Sequence, residues 1–152
     1  MREADKPHLA NAVWNMGECG EGDIPKDCAF VLDGGSLLHR IPWVQGYSFG
    51  MICEEYCKFV SSNYGKKHII FDGYNMRPST KDSTHTRRTK GKAGMKICFN
   101  ENLPFRSKKD TFLTNADNKQ NFIKLLCEHL SGIGCNVSNA DGDADLLIVK
   151  TV

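Results

Sequence analysis

Asp33, Asp72, Asp143 and Asp145 are the residues of this chain whose type and placement best suit chemistry. Hard divalent cations such as Mg²⁺ or Mn²⁺ prefer carboxylate oxygen, and a pair of cations needs several carboxylates converging on one place. Cations held in that way activate a water and stabilise the leaving oxygen of a phosphodiester. Asp33 and Asp72 each end a short apolar run and open a glycine turn, in Ala29-Phe30-Val31-Leu32-Asp33-Gly34-Gly35 and in His68-Ile69-Ile70-Phe71-Asp72-Gly73. Asp143 and Asp145 stand two residues apart, so on a regular helix of roughly 3.6 residues per turn their side chains would diverge by about 200°. They can share a site only at a helix start, and their position just before Leu146-Leu147-Ile148-Val149 meets that condition. Each aspartate alone has a structural reading, because Asp-Gly is a common turn and an acid at a helix N-terminus complements the macrodipole. The recurrence is what points to a metal.

The elements that must position these acids follow from the apolar pattern. The two runs ending in Asp33 and Asp72 are predicted to be buried strands. Between them, Met51, Ile52, Tyr56, Phe59 and Val60 recur at helical spacing from Ser48, an available N-cap, to Tyr64, with Gly65 as a stop. A second helix is predicted from about Asp117, as N-cap, to Gly132 or Gly134, and Cys135-Asn136-Val137-Ser138 reads as a weak third strand. Asp141 to Val149 reads as the first turns of a last helix. Residues 1–26 show no periodicity and are expected to be a mobile tail; the domain is expected over residues 27–152. Strands alternating with helices argue for an α/β domain with a parallel sheet, whose C-terminal edge carries the active site. Trp43 and Pro42 are expected to pack rather than to form a recognition platform, and His39-Arg40 suits either a phosphate contact or a cap.

In three segments the residues resemble the PIN-like nucleases, in the flap-endonuclease and 5′-exonuclease branch. "VLDGGSLLHR" resembles the first strand and acidic turn of that family, "IIFDGY" its second strand with the "FDG" signature, and "GDADLLIV" the start of its "GEAEAQ" helix. The resemblance runs over about residues 29 to 152. It implies a flavodoxin-like three-layer sandwich around a central parallel sheet, in which Asp33, Asp72, Asp143 and Asp145 hold Mg²⁺ or Mn²⁺ and catalyse phosphodiester hydrolysis of DNA or RNA. Asp141 has no counterpart in the match. In that family a further strand and an acidic pair in an "S-x-D-x-D" context follow, and then usually a helix-hairpin-helix. The sequence ends at Val152, so the expectation is a domain incomplete at its C-terminus, with weak metal binding, little cleavage, and self-association through an open sheet edge.

Charge is unevenly spread behind a formal net of +2. Residues 1–76 carry 7 basic and 10 acidic side chains, whereas residues 77–152 carry 13 and 8. Arg77, Lys81, Arg87, Arg88, Lys90, Lys92 and Lys96 face only Asp82 within the long polar segment from Tyr74 to Lys96. Such a field suits phosphates, and binding through it would weaken with salt as counterions are released. His85 and Tyr74 are candidates to stack on a base. By its place after "FDG" the segment resembles the arch that clamps single-stranded flaps in the nuclease family. The alternative function is a catalytically inactive PIN-like module that binds nucleic acid or a protein partner through residues 77–96. A small α/β phosphatase is disfavoured, since the first strand lacks D-x-D and no G-x-x-x-x-G-K loop is present. Seven cysteines without a C-x-x-C pair, and five histidines away from zinc-ligand spacings, are expected to be structural in a reducing compartment. No stretch approaches the roughly 18 apolar residues of a membrane span, so a soluble intracellular protein is expected.

Overall fold

Parallel strands need crossover connections, and in this chain helices supply them. The computed structural model describes residues 29–72, 94–140 and 144–151. The elements are β1 (Ala29–Asp33), α1 (Gly34–Arg40), α2 (Phe49–Asn63), β2 (Lys66–Phe71), α3 (Lys109–Leu113), α4 (Ala116–Gly132), β3 (Asn136–Asn139) and α5 (Ala144–Thr151). The three strands form one parallel sheet in the order β1-β2-β3, with Asp33 opposite Ile70 and Phe71 opposite Asn139. The protein is therefore an α/β domain, with a three-stranded parallel sheet among the described residues. The tail expected over residues 1–26 and the polar segment up to residue 93 lie outside the described residues.

Strand alternation sends successive side chains to opposite faces, and each face has its own core. On one face Leu32, Ile69, Phe71 and Val137 pack with α1, α2 and α4 through Leu38, Ile52, Tyr56, Val60, Phe122, Leu126 and Leu130. Each fully buried side chain of this size contributes about 1.5–3 kcal/mol relative to exposure. On the other face Val31, Ile70 and Ala140 meet Ala144, Leu147 and Ile148 of α5. α5 thus lies back over β1 and β2, where Leu147 and Ile148 find apolar partners. Val149 remains 77% exposed.

Ser48 caps α2, its hydroxyl accepting from the Met51 N–H at 3.2 Å. The cap of α4 differs from the sequence expectation. Asn115 Oδ1 accepts from the Asn118 N–H at 3.1 Å, and Asp117 lies in the first turn of the helix. Asn and Asp are near-equal caps, and sequence position alone does not choose between them. At its other end α4 closes with Gly134 at φ +81°, donating to Ser131 O at 3.0 Å while the Cys135 N–H reaches Leu130 O at 3.1 Å. This paired closure requires the left-handed conformation that glycine adopts without strain.

Two short helices, α1 and α3, were not legible in the sequence. α3 and the extended chain before it bring Phe112 and Phe105 to an aromatic cluster centred on Trp43, which lies between α1 and α2. The Trp43 ring lies 4.4 Å from that of Phe122 and 4.9 Å from that of Phe105, and its Nε1–H donates to Tyr56 Oη at 2.9 Å. Tyr56 in turn donates to Leu38 O at 2.6 Å, which ties α2 to α1. Trp43 is a packing residue, as expected. Among the described residues no helix is long and apolar enough to cross a membrane.

Candidate functional site

Asp33 and Asp72 meet at the C-terminal edge of the sheet because they end adjacent parallel strands on the same face. Asp33 is level with Ile70, and Asp72 lies two residues beyond Ile70 on the neighbouring strand. A methyl group on Gly35 would sit 3.2 Å from Asp33 Oδ1 and 3.9 Å from Asp72 Oδ2. The two oxygens are therefore no more than about 7 Å apart, a span that cations separated by about 3.5–4 Å can bridge. Gly34 lets the start of α1 lie against the end of β2, since a Cβ there would run into the Phe71 ring.

Both carboxylates also meet helix starts. Asp33 Oδ1 accepts from the Gly35 N–H at 2.8 Å and caps α1. Asp72 Oδ1 accepts from the Ala144 N–H at 2.9 Å, which holds the first residue of α5 against the end of β2. The positive ends of these helices complement negative charge at the edge. Asp145 is exposed in the first turn of α5, one residue after the amide that binds Asp72. Among the described residues no three His, Cys, Asp or Glu side chains are grouped to hold a metal ion. Asp143 and Asp141 lie outside the described residues.

Of the predicted nucleic-acid-binding residues, Arg77, Lys81, Arg87, Arg88, Lys90 and Lys92 lie outside the described residues, as do Tyr74 and His85. Lys96 is described. Its Nζ pairs with Asp117 Oδ2 at 2.8 Å, both side chains being exposed, and the Asp117 carboxylate raises the Lys96 pKa. An exposed pair of this kind contributes little to stability and is screened by salt, but it partly neutralises one of the seven positive charges.

Sequence reasoning missed the residue that anchors the downstream end of the basic segment. Asn118, fully buried on α4, accepts from the Ile97 N–H at 2.8 Å and donates to Met95 O at 2.8 Å. Its amide thus pairs with the extended chain as a neighbouring strand would. Gly94 is held by Thr114 and Asn115, through Thr114 Oγ1 at 2.9 Å and Asn115 Nδ2 at 2.9 Å. The only signal in the sequence was a cluster of amides on an otherwise apolar helix face. Of the described cysteines, Cys53, Cys57 and Cys135 are buried, Cys127 is partly so and Cys98 is exposed; all five are free thiols. Burial pushes Cys57 and Cys127 up to about 11, so these thiols stay protonated at neutral pH.

The fold and this edge define an α/β domain in which two strand-terminal carboxylates face the starts of two helices. No family model, curated protein or solved structure matches the chain.

Proposed function

We propose that the chain is a divalent-metal-dependent, nuclease-like domain of the PIN-like kind, in the flap-endonuclease and 5′-exonuclease branch, acting on phosphodiesters of DNA or RNA. The observation that carries this reading is the convergence of Asp33 and Asp72 over Gly35 at the C-terminal edge of the parallel sheet. In the proposal these two acids, with Asp143 and with Asp145 in the first turn of α5, hold Mg²⁺ or Mn²⁺, and residues 77–96 bind the nucleic acid. Self-association in this reading runs through an open edge of the sheet, whose outer strands among the described residues are β1 and β3, because an open strand edge offers unpaired backbone groups.

A specific observation favours a second reading, a catalytically inactive module of the same kind that binds nucleic acid or a protein through residues 77–96. Asp33 and Asp72 already serve helix starts through Gly35 and Ala144, and that work needs no metal. Asp33→Asn separates the two readings, since Asn caps a helix as well as Asp but carries no charge. The experiment is calorimetric titration of Mn²⁺ into the chain, alongside cleavage of end-labelled single-stranded and flapped oligonucleotides. The metal reading expects Mn²⁺ binding that Asp33→Asn weakens at unchanged thermal stability. Absence of Mn²⁺ binding in the parent chain, with oligonucleotide binding retained, would establish the inactive module instead.

A further inference from the structure

In an extended strand the backbone N–H and C=O of one residue point to the same side, and that side alternates along the chain. The Ala140 N–H donates to Phe71 O at 2.9 Å, so Asn136, Ser138 and Ala140 turn their backbone groups towards β2. Val137 and Asn139 therefore turn theirs away, at what is the outer side of the sheet among the described residues. The sequence Asn-Val-Ser-Asn holds neither a charge nor a proline, the usual means of blunting such an edge.

The side chains of β3 alternate between the two faces of the sheet. Ser138 lies on the face of α5, its hydroxyl 2.8 Å from His68 Nε2. Val137 and Asn139 lie on the face of α4 and form one wall of a groove of about 490 Å³. The opposite wall is α4, which contributes the apolar Ile123, the half-buried Cys127 and, one helical turn apart, the exposed Lys124 and Glu128.

These directions restrict how a second copy can pair with the edge. In an antiparallel pair related by a two-fold axis, bonds form only between residues whose backbone groups point outward. With the axis at Ser138, Val137 of each copy faces Asn139 of the other, and both pairs exchange their N–H and C=O bonds. Centring the axis on Val137 or on Asn139 leaves a single such pair within the strand. The axis at Ser138 also runs the two α4 helices antiparallel, so the order of Lys124 before Glu128 sets each ammonium towards the other copy's carboxylate.

We propose that the β3 edge and the α4 groove receive the same edge of a second copy of this chain, joined antiparallel about a two-fold axis at Ser138 into one continuous sheet. The proposal deepens the self-association reading above and rests on it, assigning the contact to β3. Main-chain bonds hold the copies together, and the self-complementary Lys124–Glu128 pairs select this partner and register.

The test is sedimentation of the full chain over a concentration series. Asn139→Pro removes an outward N–H and leaves the ladder to β2 whole, a place where an edge strand tolerates proline; circular dichroism checks the fold. The parent is expected to dimerise, and Asn139→Pro to raise the dimer Kd about tenfold or more, for two main-chain bonds lost. Lys124→Glu and Glu128→Lys are each expected to weaken the dimer, more at low salt than at high, and the double reversal Lys124→Glu/Glu128→Lys to restore it. Ser138→Cys reads the geometry directly. Facing residues of a non-hydrogen-bonded pair have Cα atoms about 4.5 Å apart, within the roughly 4.4–6.8 Å that a disulfide spans, so oxidation is expected to link the copies at position 138, as peptide mass mapping reads. A dimer indifferent to Asn139→Pro and unlinked at 138 would overturn the β3 edge and leave self-association to β1. Single reversals that weaken the dimer without recovery in the double reversal would overturn the two-fold register. A parent chain that stays monomeric would overturn self-association as a whole, while the metal and nucleic-acid readings are tested separately by the Mn²⁺ and oligonucleotide titrations.

Discussion

Replacing Asn118 with Leu tests how the chain leaving the basic segment is held. The Asn118 side chain is fully buried, and its amide bonds to Ile97 N–H and Met95 O at 2.8 Å and to Phe112 O at 3.4 Å. Leucine keeps a similar volume but offers no donor or acceptor. The half-buried Ile97 N–H then loses its acceptor, and an unsatisfied buried donor costs about 1–3 kcal/mol. Met95 is 83% exposed, so its carbonyl recovers water at little cost, and the bond to Phe112 O is long enough to count for little. The sum is about 2 kcal/mol, which for a domain of this size lowers Tm by roughly 8 °C. Urea denaturation followed by circular dichroism reads it as a lower midpoint at unchanged slope, and amide exchange at Ile97 is expected to quicken. A change below about 0.5 kcal/mol, or an unchanged exchange rate at Ile97, would refute the assignment of Asn118 as the anchor of this segment.

Gly34→Ala is expected to destabilise by about 1–3 kcal/mol through overpacking, because the added Cβ meets the Phe71 ring; an unchanged urea midpoint would show that α1 shifts freely. Lys109→Met, which keeps the apolar stem over Trp43 but removes the bonds to His39 O and Ile41 O, is expected to cost about 1–2 kcal/mol, and a neutral result would show that the ammonium is not the joint between α1 and α3. The alkaline limb of stability follows from the buried thiols. Cys57 and Cys127 are pushed by burial from the usual 9.0 to about 11, and Cys53, Cys135 and Tyr56 shift upward for the same first cause. The unfolded chain loses these protons first, so their contribution is intact below about pH 9 and is lost progressively from there to about pH 11. Lys109 is lowered by desolvation and works the other way, one group against five. A urea midpoint as high at about pH 10.5 as at about pH 8 would contradict this sign.

What the sequence determined was the local chemistry. Alternating and helical spacing marked β1, α2, β2, α4 and the start of α5, because burial of one face imposes a period that composition alone reveals. The same pattern required a parallel sheet, since crossovers of this length join parallel strands, and it placed Asp33 and Asp72 at strand ends. The short helices α1 and α3 carry too few turns for a period to show, and they escaped. Only the tertiary structure decided that Asp33 and Asp72 share one face and one point, because that depends on the register between β1 and β2, a property of two strands together. It likewise decided that Asp72 receives the Ala144 amide, that α5 lies back over Val31 and Ile70, and that Asn118 serves Met95 and Ile97. The joining of His39-Arg40 to the Arg106–Lys109 stretch by one half-buried ammonium belongs to the same class. These are contacts between residues far apart in the chain, and no local period records which distant partner a polar side chain will meet once the core has closed.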